Sequence, residues 1–354
     1  MDIGIVGGGI NGLCCAWELA RGGHYVTLYE KDMLMQATSR SSSKLLHGGF
    51  RYLENGQLRL VSEALHERDL WLSIVPHLAK PLPIIYPKYK SGKRSKWLLD
   101  SGFMFYSMLS RGSALPGHRW ISDKEVYSYI PELKTAGLQG GYRYYDAQMD
   151  DYMLGLWVAQ QCRELGVEIK ERTAVRELSP HANIILYDGT ERQFDRLINV
   201  AGPWAESVLK VSNIKTKYQL DLIRGSHLII NRISHHALIL EVPDEMRIFF
   251  VLPWHDKTII GTTEVRQSID DQIQCSNKEI SYLIDSYNYY FISPINKRDI
   301  FDVFSGLRPL IRSCMNPQKV SREYAIQRKD KLITVFGGKW TTAMALARKV
   351  KKSL

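Results

Sequence analysis

The chain has few cysteines, and their arrangement does not suggest a metal site or a disulfide framework. Its 354 residues include Cys14, Cys15, Cys162, Cys275 and Cys314, an odd and scattered set without a Cys-x-x-Cys pair or a Cys/His spacing. Disulfides accumulate in oxidising compartments, and structural metal sites need closely spaced ligands. The cysteine pattern therefore predicts a reduced, cytoplasmic protein with buried thiols and no bound metal.

The chain also has no apolar run long enough to cross a bilayer, which takes about 20 residues. No signal peptide is predicted, because the first residues already have the pattern of a strand followed by a glycine turn. No internal repeat is recognisable. With 45% hydrophobic residues, the chain is expected to bury a large core, and its length allows two domains.

Positive charge is in excess, with a formal net charge of +10. Such an excess suits nucleic acid, anionic lipid or an acidic substrate, and no nucleic-acid-binding module is recognisable, so nucleic acid is not an expected partner. Five cations directly precede Trp97 and the aromatic run 103–106: Lys88, Lys90, Lys93, Arg94 and Lys96. This pattern favours peripheral contact with the cytoplasmic face of a membrane through residues 88–110. The alternative is a solvated loop followed by a core helix.

A dinucleotide-binding fingerprint opens the chain. Gly7-x-Gly9-x-x-Gly12 follows a predicted strand and begins a predicted helix, and a second strand ends at Glu30. Gly7 allows a tight turn, Gly9 lets the backbone approach a pyrophosphate, and Gly12 lets helix and strand pack closely. The helix N-terminus carries about half a positive charge, which suits a diphosphate. Glu30 would accept a hydrogen bond from a ribose 2′-hydroxyl, which argues against NADP, whereas the fingerprint alone fits FAD and NAD equally.

A second glycine-rich junction lies near the C-terminus. The segment Gly337-Gly338-Lys339-Trp340-Thr341-Thr342 connects a predicted strand to the final helix. In a flavoenzyme, such a helix end can face the N1/O2 edge of the flavin, where the helix dipole and Lys339 would stabilise negative charge. The alternative is an ordinary capping turn with Thr341 as the cap residue.

Several further segments, in this order along the chain, resemble the FAD-dependent glycerol-3-phosphate dehydrogenases of the amino-acid-oxidase-like flavoprotein superfamily. They cover nearly the whole chain: SSSKLLHGGFRYLE (41–54), AGPW (201–204), RGSH (224–227), LPWHDKTIIGTTE (252–264), SGLRPL (305–310), SREY (321–324) and GGKWTT (337–342). Members of that family usually continue into a C-terminal helical domain, which the chain, ending at Leu354, is expected to lack. Glu264 stands where the family usually has Asp, and Trp340 where a smaller aliphatic residue is common.

The resemblance implies an α/β protein, α+β overall. A Rossmann-like FAD-binding domain would be assembled from the discontinuous segments 1–80, 145–215 and 300–354. A substrate-binding domain with an antiparallel sheet would comprise 81–144 and 216–299. The pattern along the chain agrees, because strand signals dominate from Leu220 to Thr263 and strand–helix alternation marks the start, middle and end.

The resemblance also implies roles for individual residues. Arg51, Tyr52, Arg308, Arg322 and Lys339 would bind the substrate. His47, His227, Arg308 and Lys339 would take part in catalysis, with the histidines near the reacting carbon. FAD would be contacted by Gly7, Gly9, Ile10, Asn11, Gly12, Glu30, Lys31, Thr38, Ser39, Ser42, Ser43, Leu46, His47, Gly48, Val175, Ala201, Gly202, Trp204, Gly338, Lys339, Trp340, Thr341 and Thr342.

These residue types suit the chemistry that the resemblance implies. An arginine fork binds two phosphate oxygens at once, although a single arginine is more often a surface ion pair. Oxidation of a secondary alcohol needs a base of near-neutral pKa, and His47 and His227 are the candidates; each histidine could equally be a hydrogen-bonded loop residue.

The leading hypothesis is oxidation of sn-glycerol 3-phosphate to dihydroxyacetone phosphate by hydride transfer to flavin N5, with electrons passed to quinone or another acceptor. One alternative is a related FAD oxidoreductase for a larger phosphorylated or carboxylated alcohol, or an amine. Another is a non-catalytic flavoprotein subunit. An NAD-linked dehydrogenase is favoured less, since it gives no role to residues 38–43 or to the second glycine junction.

Overall fold

The computed structural model describes residues 1–312 and 324–354, apart from the side chains of Phe50, Arg51 and Asn55. The helices within these residues are α1 (Ile10–Arg21), α2 (Leu58–Ile74), α3 (Lys96–Leu109), α4 (Asp123–Tyr129), α5 (Asp151–Glu164), α6 (Ala205–Val211), α7 (Asn277–Tyr290) and α8 (Ala343–Lys352). The strands are β1 (Asp2–Val6), β2 (Tyr25–Tyr29), β3 (Leu45–Leu46), β4 (Ala79–Tyr89), β5 (Arg119–Ile121), β6 (Leu138–Met149), β7 (Glu168–Lys170), β8 (Val175–Leu178), β9 (Asn183–Leu186), β10 (Glu191–Gln193), β11 (Arg196–Asn199), β12 (Leu220–Ile230), β13 (Ala237–Glu241), β14 (Ile248–Trp254), β15 (Lys257–Gly261), β16 (Val265–Arg266), β17 (Ile300–Ile311), β18 (Tyr324–Lys329) and β19 (Leu332–Gly337).

A six-stranded sheet is built from distant parts of the chain, in the order β18-β19-β11-β1-β2-β7. All neighbouring pairs are parallel except β18 and β19. The central strand β1 buries Ile3 and Ile5 completely. Parallel strands are normally covered on both faces, which favours such apolar runs. Helices α1, α5 and α8 cover one face, and the small sheet β8–β10 with α6 packs against the other.

The second sheet has ten strands, with β16-β12-β15-β14-β13-β4-β6-β3 along its path, β17 paired to β12 and β5 paired to β6. Its strand pairs are antiparallel, with the single exception of β4 and β13 among the described residues. Helices α4 and α7 pack on one face, and α2 and α3 on the other. The predicted fold class, a discontinuous parallel unit joined to a largely antiparallel sheet, is confirmed.

Two elements of this sheet differ from what the sequence indicates. β4 is a strand despite Pro81, Pro83 and Pro87, which normally exclude a residue from the middle of a sheet. On the side that faces β13, β4 pairs only at Ile84 and Ile85. The prolines, which have no N–H group, therefore cost no interstrand hydrogen bond on that side. β17, which the predicted boundaries assign to the FAD-binding domain, hydrogen-bonds to β12 along its length.

No described helix has the length and apolarity that crossing a bilayer requires.

Candidate active site

A cavity of about 590 Å³ lies at the carboxyl ends of β1, β2 and β19 and extends to the ten-stranded sheet. Its lining includes Gly9 to Asn11 at the start of α1 and Gly337 to Thr341 ahead of α8. Two helix N-termini from opposite ends of the chain thus reach the same cavity. Helix N-termini present unpaired N–H groups and partial positive charge, which suits an anionic ligand.

The first glycine junction is closely packed. A Cβ on Gly12 would lie 1.9 Å from the carbonyl oxygen of Gly7, so a side chain there is excluded by the strand–helix contact. Gly9 caps α1 without a side chain, and Ser39 Oγ accepts the amide hydrogen of Ile10 at 3.0 Å. The side-chain oxygen of Asn11 is buried, and no described residue donates a hydrogen bond to it. This end of α1 therefore offers backbone and amide groups to the cavity.

Glu30 closes the fingerprint at the end of β2. Its carboxylate accepts hydrogen bonds from the backbone amides of Gly8 at 2.7 Å and Asp32 at 2.9 Å. Glu30 also lines the cavity, together with Lys31, whose ammonium lies 4.1 Å from the centre of the Trp204 ring. Ala201, Gly202 and Val175 line this part of the cavity too. These bonds fix the Glu30 carboxylate at the cavity surface, which is the position needed for the predicted hydrogen bond from a ribose 2′-hydroxyl.

Residues 38–43 form one wall of the cavity and are anchored from outside it. Thr38 Oγ1 donates to the carbonyl of Leu307 at 2.7 Å, and Ser42 Oγ donates to Asp151 at 2.7 Å. Asp151 is fully buried and forms an ion pair with Lys44 at 2.6 Å. These bonds fix a polar segment against β17 and α5.

The second glycine junction requires its glycines. Gly337 and Gly338 have φ values of 78° and 106°, a region that side chains rarely adopt. A Cβ on Gly338 would also lie 2.7 Å from the Asn11 amide nitrogen, so the two junctions touch. The following Lys339 places its ammonium 3.6 Å from the centre of the Tyr52 ring. Thr341 Oγ1 accepts the His47 amide hydrogen at 3.3 Å, which ties His47 to this junction.

We call the part of the cavity that abuts the ten-stranded sheet the sheet-side chamber. It is lined by Tyr52, Ile84, Tyr144, Asp146, Ile239, Ile248, Phe250, Thr262, Glu264, Arg308 and Lys339. The pairs Ile84–Tyr144 and Ile239–Phe250 are cross-strand neighbours, so one face of the sheet provides an apolar floor. Arg308 donates to Thr262 Oγ1 at 2.6 Å and lies 3.6 Å from Glu264.

Asp146 is a buried carboxylate of this chamber. It accepts hydrogen bonds from Tyr106 at 2.6 Å and from Arg68 at 3.0 Å. Burial raises the pKa of Asp146, although the Arg68 guanidinium opposes that shift. Arg68, which is buried behind the cavity wall, compensates the negative charge of Asp146 by this ion pair.

His227 lies outside the cavity lining, behind Ser43. Its Nε2 is 2.8 Å from Ser43 Oγ, and its ring stacks on Phe304 with centroids 4.6 Å apart. Burial, with the nearby charges of Arg308 and Lys44, lowers the pKa of His227 well below its ordinary value. The imidazole is therefore neutral at physiological pH and reaches the cavity only through Ser43, whereas His47 lines the cavity itself.

Most of the predicted site residues line this one cavity: Gly7, Gly9, Ile10, Asn11, Glu30, Lys31, Thr38, Ser39, Ser42, Ser43, His47, Tyr52, Val175, Ala201, Gly202, Trp204, Arg308, Gly338, Lys339, Trp340 and Thr341. Gly12, Leu46, Gly48, His227 and Thr342 do not line it and pack behind its walls. Arg322 and the side chain of Arg51 lie outside the described residues.

Several lining residues are not predicted from the sequence: the apolar residues Ile84, Ile239, Ile248 and Phe250 of the ten-stranded sheet, and Tyr187, which lines the cavity beside Val175. Alternation along β14, where Ile248 and Phe250 share a face, was the available signal.

The cavity fits a dinucleotide with a flavin. Gly9, Gly202 and Gly338 place no side chain at the wall, and the buried side-chain oxygen of Asn11 can accept a hydrogen bond from a hydroxyl or N–H group of the ligand. The helix end with Lys339 supplies positive charge at a second point of the same cavity. These groups are of the kinds that a diphosphate and a flavin ring require.

Comparison with known proteins agrees with this geometry. The family model described as FAD dependent oxidoreductase matches residues 2–352. The aerobic glycerol-3-phosphate dehydrogenase of Escherichia coli is 34% identical over 372 residues, covering 100% of this chain and 73% of the relative. The glycerol-3-phosphate dehydrogenase of Mycobacterium leprae is 32% identical, covering 98% and 61%. The D-erythritol 1-phosphate dehydrogenase of Brucella abortus is 34% identical, covering 98% and 72%. The chain thus spans about two thirds of the length of these relatives.

Solved structures show the same fold. The glycerol-3-phosphate dehydrogenase of Bacillus halodurans in complex with FAD superposes with a TM-score of 0.78 at 22% identity, covering 100% of this chain and 64% of that one. The FAD-bound L-α-glycerophosphate oxidase of Mycoplasma pneumoniae has a TM-score of 0.78 at 16% identity, covering 99% and 94%. With the cavity and both glycine junctions in place, the chain belongs to the FAD dependent oxidoreductase family, and its cofactor is FAD.

Proposed function

We propose that this protein oxidises sn-glycerol 3-phosphate to dihydroxyacetone phosphate. The observation that carries the proposal is the sheet-side chamber, where Arg308 and Lys339 line the cavity that also exposes His47. Two cations on separate elements suit a phosphate dianion, since each can donate several hydrogen bonds to its oxygens. The identity with glycerol-3-phosphate dehydrogenases over the whole chain supports the same substrate class.

The residues of the chamber and His47 have different roles in this proposal. Thr262 accepts a hydrogen bond from Arg308 and so orients the guanidinium that would bind the phosphate. The apolar floor that includes Ile239 and Phe250 excludes water from the substrate carbon. His47 is the base in this proposal, because it lines the cavity and can take the hydroxyl proton. Bound FAD supplies the hydride acceptor.

His227 is a positioning residue in this proposal. Its ring cannot reach the cavity directly, but the bond between Nε2 and Ser43 Oγ orients a hydroxyl that does line the cavity. Because the imidazole is held neutral, it can accept the Ser43 hydrogen without competing for the substrate proton.

An anaerobic titration of the purified FAD-loaded protein tests the function. We expect sn-glycerol 3-phosphate to bleach the visible absorbance of bound FAD, and glycerol at the same concentration to leave it unchanged, because glycerol lacks the phosphate. D-Erythritol 1-phosphate belongs in the same titration, since a dehydrogenase of that substrate is as similar to this chain as the Escherichia coli relative. An unchanged spectrum with every phosphorylated alcohol would favour a non-catalytic flavoprotein subunit.

We also propose peripheral contact with an anionic membrane through residues 88–110, with electrons passed to quinone or another acceptor. In support, α3 buries Leu99, Phe103 and Tyr106 while its outer side exposes Trp97 by 78%, together with Met104 and Met108. An exposed apolar helix face beside basic residues suits an interfacial position.

The basic run contributes less to this contact than its sequence indicates. Lys88 is buried and donates to backbone carbonyls, and Arg94 is buried in an ion pair with Glu54. Lys96, the first residue of α3, is exposed but forms an ion pair with Asp100 at 2.8 Å. Lys90 and Lys93 are exposed next to α3.

Flotation with vesicles of phosphatidylcholine and phosphatidylserine tests the membrane contact. We expect the protein to float with the vesicles and the double variant Trp97→Ser/Met104→Ser to remain in the dense fraction. Met153→Ser, which removes an exposed methionine from α5, is the matched control and should float normally. Equal flotation of all three proteins, or of none, would contradict a contact through α3.

A further inference from the structure

Glu264 places a carboxylate in the wall of the sheet-side chamber, where an anionic substrate is expected. It follows β15 and lines the cavity, with its side chain 10% exposed. One oxygen lies 3.6 Å from Arg308 and the other 3.8 Å from Arg247. Arg247 is fixed in turn by hydrogen bonds to Tyr282 and to the carbonyl of Thr262. The carboxylate is therefore held in position by the groups around it.

The surrounding charge limits what Glu264 can bind. A carboxylate only accepts hydrogen bonds, so its ligand must be a donor: a hydroxyl or an ammonium group. Arg247 and Arg308 both lie within 4 Å of it, and Lys339 lines the same chamber, so cations outnumber carboxylates here. Asp146, the other carboxylate of the chamber, is compensated by its own arginine. An ammonium group would be repelled by this excess, whereas a neutral hydroxyl would not.

We propose that Glu264 binds a substrate hydroxyl other than the one oxidised, and thereby selects polyol phosphates over phosphates of simpler alcohols. The inference rests on the proposed function, because it needs a phosphorylated alcohol in the chamber. Arg308 then holds the phosphate while Glu264, adjacent to it, accepts the hydrogen of a second hydroxyl. The substrate class comprises glycerol phosphate and longer polyol phosphates, which share that hydroxyl.

The expected selectivity follows from the cost of a lost charged hydrogen bond. Hydrogen bonds to ionised groups contribute about 1.5–3 kcal/mol, which corresponds to a factor of about 10 to 150 in kcat/KM. A substrate without the second hydroxyl leaves the carboxylate desolvated and without that donor. Wild-type protein should therefore turn over the 1-deoxy analogue of sn-glycerol 3-phosphate, propane-1,2-diol 1-phosphate, at least 10-fold less efficiently.

The experiment is a cycle of two substrates and two proteins, run with FAD-loaded enzyme and an artificial electron acceptor. Glu264→Ala removes the acceptor, and we expect it to reduce kcat/KM for sn-glycerol 3-phosphate far more than for the deoxy analogue. Glu264→Gln keeps the side-chain volume and one acceptor oxygen, so it should fold and retain an intermediate preference. Glu245→Ala is the matched control, because Glu245 also lies near Arg247, at 3.9 Å, but is 40% exposed and does not line the cavity.

Three results would decide the matter. A substrate preference that falls in Glu264→Ala and Glu264→Gln, but stays in Glu245→Ala, supports the assignment. An equal loss for both substrates would mean that Glu264 acts only by orienting Arg308, and would overturn it. If wild-type protein oxidises neither phosphate, the proposed function itself fails. That result differs from active variants whose preference between the two phosphates is unchanged, which would overturn only the role of Glu264.

Discussion

Replacing Glu279 with glutamine should destabilise the floor beneath the sheet-side chamber. Glu279 lies in the first turn of α7, and one of its oxygens accepts hydrogen bonds from Ser226 and Thr263, each at 2.7 Å. The other accepts from Arg224 at 2.7 Å and from the Ser276 amide at 2.9 Å. A single carboxylate thus joins α7 to β12 and to the segment that leads into Glu264.

The pKa of Glu279 gives the size of the effect. Burial would raise this pKa, but the bonds from Thr263, Ser276 and Arg224 outweigh it and lower the pKa from 4.5 to about 2. A shift of this size corresponds to about 3 kcal/mol of folding free energy at neutral pH. Glutamine resembles the protonated acid, so Glu279→Gln should lose about that amount at pH 7.

The effect should depend on pH in a defined direction. Because the folded pKa is depressed, the stabilisation is complete above the unfolded pKa of 4.5 and is lost as the pH falls towards about 2. At pH 3 less than half of it should remain. The difference between wild type and variant should therefore shrink from pH 7 to pH 3, since glutamine does not titrate.

Urea unfolding of the two proteins at equal FAD saturation measures this difference at each pH. Glu125→Gln is the matched control, because Glu125 occupies the same position in the capping box of α4 but its side chain is 42% exposed. A difference below 1 kcal/mol at pH 7, or one that does not change down to pH 3, would refute the argument that this buried network stabilises the fold.

Four further substitutions test the site. Arg308→Ala should raise KM for sn-glycerol 3-phosphate about 10- to 150-fold, through loss of a charged phosphate contact, and near-normal steady-state kinetics would remove its assigned role. His47→Asn should lower kcat about 10²- to 10⁴-fold and abolish the lower limb of the pH–rate profile, because it removes the proposed base. His227→Asn should lower kcat but keep that limb. The opposite pattern in the two variants would make His227 the base. Gly12→Ala should release FAD on gel filtration, because its Cβ would meet the carbonyl of Gly7, and retention of stoichiometric FAD would contradict that packing.

The fingerprints could be read from the sequence because their function depends on backbone conformation. Gly7 and Gly12 are required by local geometry, as are Gly337 and Gly338 at the second junction, so spacing alone predicts the turn and the helix that follows. The structure places both junctions on one cavity. Local rules of this kind do not depend on the rest of the fold.

The positions of the charged side chains could not be predicted, because they depend on partners distant in sequence. Arg94 belongs to a basic run, yet it is buried against Glu54, which lies 40 residues earlier. His227 stands in a family motif, yet its ring points at Ser43 rather than into the cavity. Neither partner can be identified from periodicity or composition. The roles assigned to the site residues stay predictions until the variants are measured.

The sheet order also determines when the protein can mature during synthesis. Ile3 in β1 pairs with Arg196 in β11, 193 residues further on, and β11 pairs in turn with Leu332 in β19. At about 5–20 residues per second, a ribosome completes that first pairing partner roughly 10 to 40 s after β1 emerges. During this interval the edge of β1 that later pairs with β11 has no partner strand, so we expect the nascent chain to expose apolar surface. We expect FAD to bind later still, after α8, the helix that follows β19, has left the exit tunnel.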